Sequence, residues 1–190
     1  MIRKINKIDK HKVLYKVCDQ RRAECPCKIN NKGVDVLRIR RSKSADTRSA
    51  EHEVTKGELL YSSEQHIGDV RQAMRYFAER LLRAADKHDC TKIDGIDQFH
   101  KDFRQVQQQG GNFKELPWYR RHVAEERHHL TDRVPDDVNL LDVLEWVADI
   151  TMAGMARHGA VLPDSLSPEV LLMAYQNTIT QLKNEIKVED

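Results

Sequence analysis

The run His88-Asp89-Cys90-Thr91-Lys92 sets an imidazole, a carboxylate and an ammonium within about one helical turn of one another. These groups can hold a divalent metal and a phosphate together; a His-Asp pair at a helix end can equally be a cap and a surface charge. Two later stretches carry the same side-chain types. His122, Glu126 and His129 fall at i, i+4 and i+7, one face of a helix, with His128 adjacent. Asp142, Glu145 and Asp149 fall at i, i+3 and i+7, again one face. Asp149 stands in the apolar stretch Val147-Ala148-Asp149-Ile150, where a carboxylate is costly unless paired or metal-bound. Either helix alone reads equally well as an inter-helix salt-bridge set. Three segments that each bring imidazole or carboxylate toward a core favour a metal site. Mixed nitrogen and oxygen ligands suit zinc, manganese, iron or cobalt and leave magnesium open.

The elements that must position these residues are mostly helical. Ser62-Ser63-Glu64-Gln65 offers a capping start, and Val70, Ala73, Met74, Phe77, Ala78, Leu81 and Leu82 recur at three-and-four spacing. The spacing predicts a long helix with this stripe against a core, running into His88-Asp89. Asp94-Gly95 reads as a turn, Phe99, Phe103 and Val106 as a further helix, and Gln107–Asn112 as a loop. Pro117 opens a helix expected to reach His129. After a turn over Asp132–Asp137, a helix from Leu140 to His158 is expected to bury Leu141, Leu144, Val147 and Ala148, with Gly159 as its cap. Ser165-Leu166-Ser167-Pro168-Glu169 starts the last helix, and the charged tail reads as frayed.

Residues 1–62 differ in character. Short β-prone runs at Val13–Val17 and Val34–Arg40, with turn residues Asn30–Gly33 between them, predict a hairpin or meander. Arg38, Arg40, Arg41 and Lys43 make a basic strand and loop, suited either to a phosphate-rich partner or to a solvated edge kept from aggregating by charge. Cys18, Cys25 and Cys27, with His11, read as reduced thiols rather than a zinc knuckle, because no paired CxxC spacing is present. The 190 residues suffice for one domain with a core, and 33% charged residues with no long apolar run argue against a membrane span. The basic N-terminus lacks an apolar segment to follow it, so a cytoplasmic location is expected.

Within this pattern, His66 at the head of a helix, then His88-Asp89 with Lys92, then His122, His128 and His129, then Asp149 resembles the HD-domain metal-dependent phosphohydrolases. The chain is closer still to an uncharacterised HD-like family found largely in phages and bacteria. There, stretches similar to Leu82-Arg83-Ala84, His88–Lys92, the paired histidines and Leu141-Asp142-Val143-Leu144-Glu145 recur. The resemblance spans roughly residues 62–158. It implies a mainly α, HD-like helical bundle over 63–190 with a small β-containing N-terminal extension over 1–62. The implied activity is metal-dependent hydrolysis of a nucleotide or other small phosphate ester. His88, Asp89 and Asp149 would be metal ligands, with one or more of His122, His128 and His129 completing the site or holding a second ion. Lys92 and Arg127 would neutralise phosphate charge. Glu126, or Glu125 if the helix is turned otherwise, would orient the attacking water as general base.

One departure from the HD pattern concerns His66. A straight helix would set it about 33 Å from His88, too far to share an ion. We read His66 as a residue of the helix start and the His122 helix as the source of the missing ligand. The alternative to an enzyme is a non-catalytic HD-like module that contacts nucleic acid or a phage or host protein through Arg38, Arg40, Arg41 and Lys43; a homo-oligomer is compatible with either.

Overall fold

A computed structural model describes residues 36–41, 52–161 and 165–189, all within the unit Gly33–Asp190. The fold is mainly α, with one small pair of strands. Its first strand, β1 (Leu37–Arg40), is followed by a 32-residue helix, α1 (Lys56–Lys87). Thr55 and Glu58 close a reciprocal capping box at its start: the Glu58 N–H donates to Thr55 Oγ1 at 3.2 Å and the Thr55 N–H to Glu58 Oε2 at 2.9 Å. The helix thus begins six residues before the expected Ser62, whose hydroxyl instead donates to the Leu59 carbonyl, and position 62 lies inside it.

At its far end α1 stops abruptly. His88 leaves the helical conformation at φ −48°, ψ 124°, and Asp89 adopts the left-handed conformation at φ 57°, which costs about 1–2 kcal/mol for most side chains and is best tolerated by Asp, Asn and Gly. The reversal leads into two short helices, α2 (Cys90–Asp94) and α3 (Ile96–Gln109), joined at Gly95. A Cβ on Gly95 would lie 2.9 Å from the Thr91 carbonyl and 3.0 Å from Trp118 Nε1, so glycine allows this corner to press on the next helix. That helix is α4 (Pro117–Glu125), with proline at its first position. Its first N–H, on Trp118, donates to the buried carboxylate of Asp102 at 2.9 Å, a cap supplied from α3 rather than from the preceding residue. Phe99 stacks on Trp118 at 3.9 Å and Trp118 on His122 at 4.6 Å, fixing α4 against α3.

The remaining helices are α5 (Leu140–His158), capped by Asn139, and α6 (Pro168–Glu185), capped by Ser167; Gly159 ends α5 in the left-handed conformation. Between α5, α6 and the preceding loop lies the apolar core of Leu130, Val138, Trp146 and Ala174, flanked by Val134, Val143, Ile150, Leu166 and Met173. Asn177 ties α6 to that loop by donating to the Val138 carbonyl at 2.9 Å. The chain then forms β2 (Ile186–Glu189), which pairs in parallel with β1, Leu37 opposite Ile186.

Several expectations are corrected. The C-terminal tail, expected to be frayed, is a strand and pairs with β1; Val13–Val17 and the turn of the expected hairpin lie outside the described residues. Gln72 brackets β1 from its other edge, accepting the Arg38 N–H at 2.9 Å and donating to the Arg38 carbonyl at 3.2 Å. On α5, Leu144 and Val147 are exposed, while Asp142 and Trp146 are buried. On α1, Val70, Met74 and Leu82 remain exposed among the described residues, because α5 and β1 are its packing partners and cover only part of the stripe. No described helix is long and apolar enough to cross a membrane.

Loss of the remote cap should be measurable. Asp102→Ala is expected to lower the unfolding free energy by about 1–3 kcal/mol through the orphaned Trp118 N–H; urea denaturation checks this, and an unchanged midpoint would show that the cap contributes nothing.

Candidate metal centre

The end of α1, the end of α4, the loop after it and the face of α5 meet at one cluster. His88 donates from Nδ1 to Glu145 Oε1 at 2.9 Å, and its Nε2 lies 3.4 Å from Asp89 Oδ2 and 3.7 Å from Asp149 Oδ1. A carboxylate behind one ring nitrogen orients the other toward a metal, which binds there in place of a proton. Lys92 pairs with Asp89 Oδ2.

A proton count at Thr91 defines the second histidine. The single hydroxyl proton of Thr91 goes to Glu126 Oε1, at 2.7 Å, and the Thr91 N–H donates to the same oxygen at 3.1 Å. Thr91 Oγ1 must therefore accept from His122 Nδ1, at 2.6 Å. His122 Nε2 then carries a lone pair, and it lies 3.5 Å from Asp89 Oδ1 and 2.7 Å from His129 Nε2. His128, fully buried, sets its Nε2 3.7 Å from the same Asp89 oxygen. Its Nδ1 is 3.1 Å from Glu145 Oε1 but off the direction of a hydrogen bond.

The result is a cluster of buried polar atoms that the described side chains leave without hydrogen-bond partners. Asp89 Oδ1 and both His128 nitrogens are buried and have no hydrogen-bond partner among the described residues. Buried polar atoms left this way are costly, and a cation between them removes the cost. Three sets of ligand atoms each fall within 4.8 Å: His88, Asp89 and His128; Asp89, His122 and His129; Glu126, His128 and Glu145. Asp89 belongs to the first two, so one carboxylate can serve two neighbouring positions. The donor set of imidazole and carboxylate fits a divalent ion.

Electrostatics follow the same geometry. The Glu145 hydrogen bond raises the His88 imidazole against the opposing effect of burial, with Asp89 adding to the rise. Burial holds His122 down to about 4, helped by His129, and lowers His129 itself with His128 beside it. For Glu145, burial works upward but is outweighed by His128 and His88, leaving it at about 2. Asp89 likewise ends below its ordinary range, because Lys92 and the imidazoles overcome burial.

No known protein family, curated protein or solved structure matches the chain. None of them supports the HD-domain resemblance.

Of the residues expected at the site, His88, Asp89, His122, His128, His129, Glu126 and Lys92 are brought together, and Asp149 lies at the rim. The route differs for His128 and His129. Helix α4 ends at Glu126, whose backbone is extended, so both histidines reach the cluster from a loop and not from one helical face. Arg133 Nη1 takes the Ala124 carbonyl at 2.7 Å, satisfying a backbone group freed by that early end. His66 is exposed in the same unbroken helix as Lys87, far from the cluster. Glu125 turns outward to Arg121.

Arg127 also departs from its expected role. It grips Asp142 bidentately at 2.9 and 2.8 Å and Asp137 at 2.9 Å, so it joins the loop to α5 instead of facing a phosphate. Arg38 pairs with Glu189 across the strands at 2.6 Å, Arg40 is exposed, and Lys43 and the cysteines Cys18, Cys25 and Cys27 lie outside the described residues. Glu145 and Thr91 join the cluster without having been expected there. Glu145 shared its helical face with Asp149, a usable signal; Thr91 gave none, since its partners are 31 and 35 positions away.

Two outcomes follow. Arg127→Met should reduce stability by about 1–3 kcal/mol in denaturant titration while metal content is retained; wild-type stability would contradict the structural role. Metal-free protein should also weaken with acid in a defined window. Unfolded His122 takes up its proton near 6.5 and folded His122 only near about 4, so the unfolded state binds more protons in between and stability falls as pH falls. For this residue the loss reaches about 3 kcal/mol, and His129 acts in the same direction. His88, shifted upward, contributes a constant term below its unfolded value, and Glu145 acts mainly below 4.5. Denaturation of chelated protein between pH 7 and 4 should show this slope, reduced in His122→Asn; a flat wild-type profile would exclude it.

Proposed function

We propose that the chain is a metal-dependent phosphohydrolase acting on a nucleotide or another small phosphate ester. One observation carries the reading: Asp89 Oδ1, buried and without a donor, is faced by the His122 and His128 Nε2 atoms at 3.5 and 3.7 Å. His88, Asp89, His122, His128 and His129 would hold the ion, with Asp149 and Glu145 at its margin. A bound divalent ion supplies a Lewis acid for a phosphoryl oxygen and lowers the pKa of a coordinated water.

The chain's own residues account for the remainder. Glu126 is nearly buried, and both Thr91 donors fix one of its oxygens; its carboxylate is the general base that takes the proton of the attacking water. Lys92, half exposed beside Asp89, offers its ammonium to the phosphate. Water oxygen bonds to phosphorus, the ester P–O bond breaks, and the alcohol leaves with a proton from solvent.

Phosphate release from nucleoside monophosphates and aryl phosphates, with magnesium, manganese, cobalt or zinc supplied in turn, tests the proposal. Activity should vanish on chelation and fall at least about 100-fold in His88→Ala and Glu126→Gln. No release with any metal, or wild-type rates in His88→Ala, would refute it.

A further inference from the structure

Beside the cluster, α1 and α5 bound an open trough of about 490 Å³, within the size range of small-molecule sites. Leu81, Ala84 and Ala85 line it from α1, and Leu144, Ala148 and Met152 from α5. The rest of its lining is His88, Glu145 and Asp149, three members of the metal cluster and its rim. Along α1 the lining residues step from Leu81 to His88, so the trough extends about 10 Å back from the cluster.

Its chemistry is one-sided. Apart from the cluster side chains, none of the described lining residues carries a side-chain nitrogen or oxygen, and the Met152 sulfur is only a weak acceptor. The helical backbone on both sides already uses its own groups. A nucleobase or sugar placed here would lose hydrogen bonds to water and find none in return. An alkyl or aryl group would instead gain by leaving water. Alanine at 84, 85 and 148 leaves the trough open, and the exposed Leu81, Leu144 and Met152 add apolar surface to it. This also gives a role to apolar residues that the core leaves uncovered.

We propose that the trough receives the apolar alcohol portion of the substrate, so that the preferred compound is an alkyl or aryl phosphate monoester with its phosphate at the metal cluster. The inference rests on the phosphohydrolase reading. The reaction is then ester plus one water giving free alcohol and inorganic phosphate, with no change of oxidation state.

A homologous series of n-alkyl phosphates from butyl to decyl, set against nucleoside monophosphates, tests it with the metal-loaded protein. The kcat/KM should rise about two- to fourfold per methylene until the trough is filled, and nucleoside monophosphates should fall below the longer alkyl esters. Ala148→Trp, which fills part of the trough from an exposed position, should flatten the series while metal content is retained. A flat series in active wild-type enzyme, or preference for nucleotides, overturns the inference and leaves the phosphohydrolase reading intact. If no ester is hydrolysed, that reading fails. Calorimetric affinities of the matching alkylphosphonates then decide the trough: tightening with chain length supports it, and equal affinities overturn it.

Discussion

One oxygen of Asp89, buried among histidine rings and without a hydrogen-bond partner among the described residues, is the constraint to which the rest of the structure answers. A carboxylate oxygen left this way is unfavourable in a protein interior, and a cation beside it removes the cost. To bring Asp89 there, α1 ends without a glycine, His88 leaves the helix and Asp89 itself takes a left-handed backbone. Strain of this kind persists where surrounding structure fixes it, and it gathers at functional sites. Here Thr91 fixes it, since its hydroxyl and N–H clamp Glu126 while its oxygen takes the His122 ring. The same five-residue run is both a helix terminus and the centre of a ligand cluster, so the two readings of it are not exclusive.

Much of the scaffold was legible because its signals are local. Pro117, the Ser165–Glu169 run and Gly159 mark helix ends by chemistry confined to a few residues. The early end of α4 was not, because it is set at a distance: Arg133 reaches back to Ala124, and Arg127 is drawn to Asp142. With that end misplaced, His128 and His129 were expected at the site for a different geometric reason than the one that puts them there. Arg127 looked like a phosphate ligand for the same cause, since nothing nearby in sequence reveals its bidentate partner 15 positions on.

Helix α5 shows two patterns in competition. Leu144 and Val147 suggested one buried face, while Asp142, Glu145 and Asp149 suggested another. The helix turns so that Trp146 fills the core and Glu145 reaches His88, which leaves Leu144 at the trough and Val147 exposed. Long helix α1 has the same division, ending in the cluster while part of its apolar stripe lines open space. Core, ligand cluster and trough thus draw on different faces of the same two helices.

Calorimetric titration of chelator-stripped protein with manganese or zinc measures the central claim most directly, for wild type and for Asp89→Asn. The account predicts stoichiometric binding by wild type and its loss in the variant, with the helical circular dichroism of both unchanged. Absence of binding by folded wild type, or equal binding by Asp89→Asn, would contradict it.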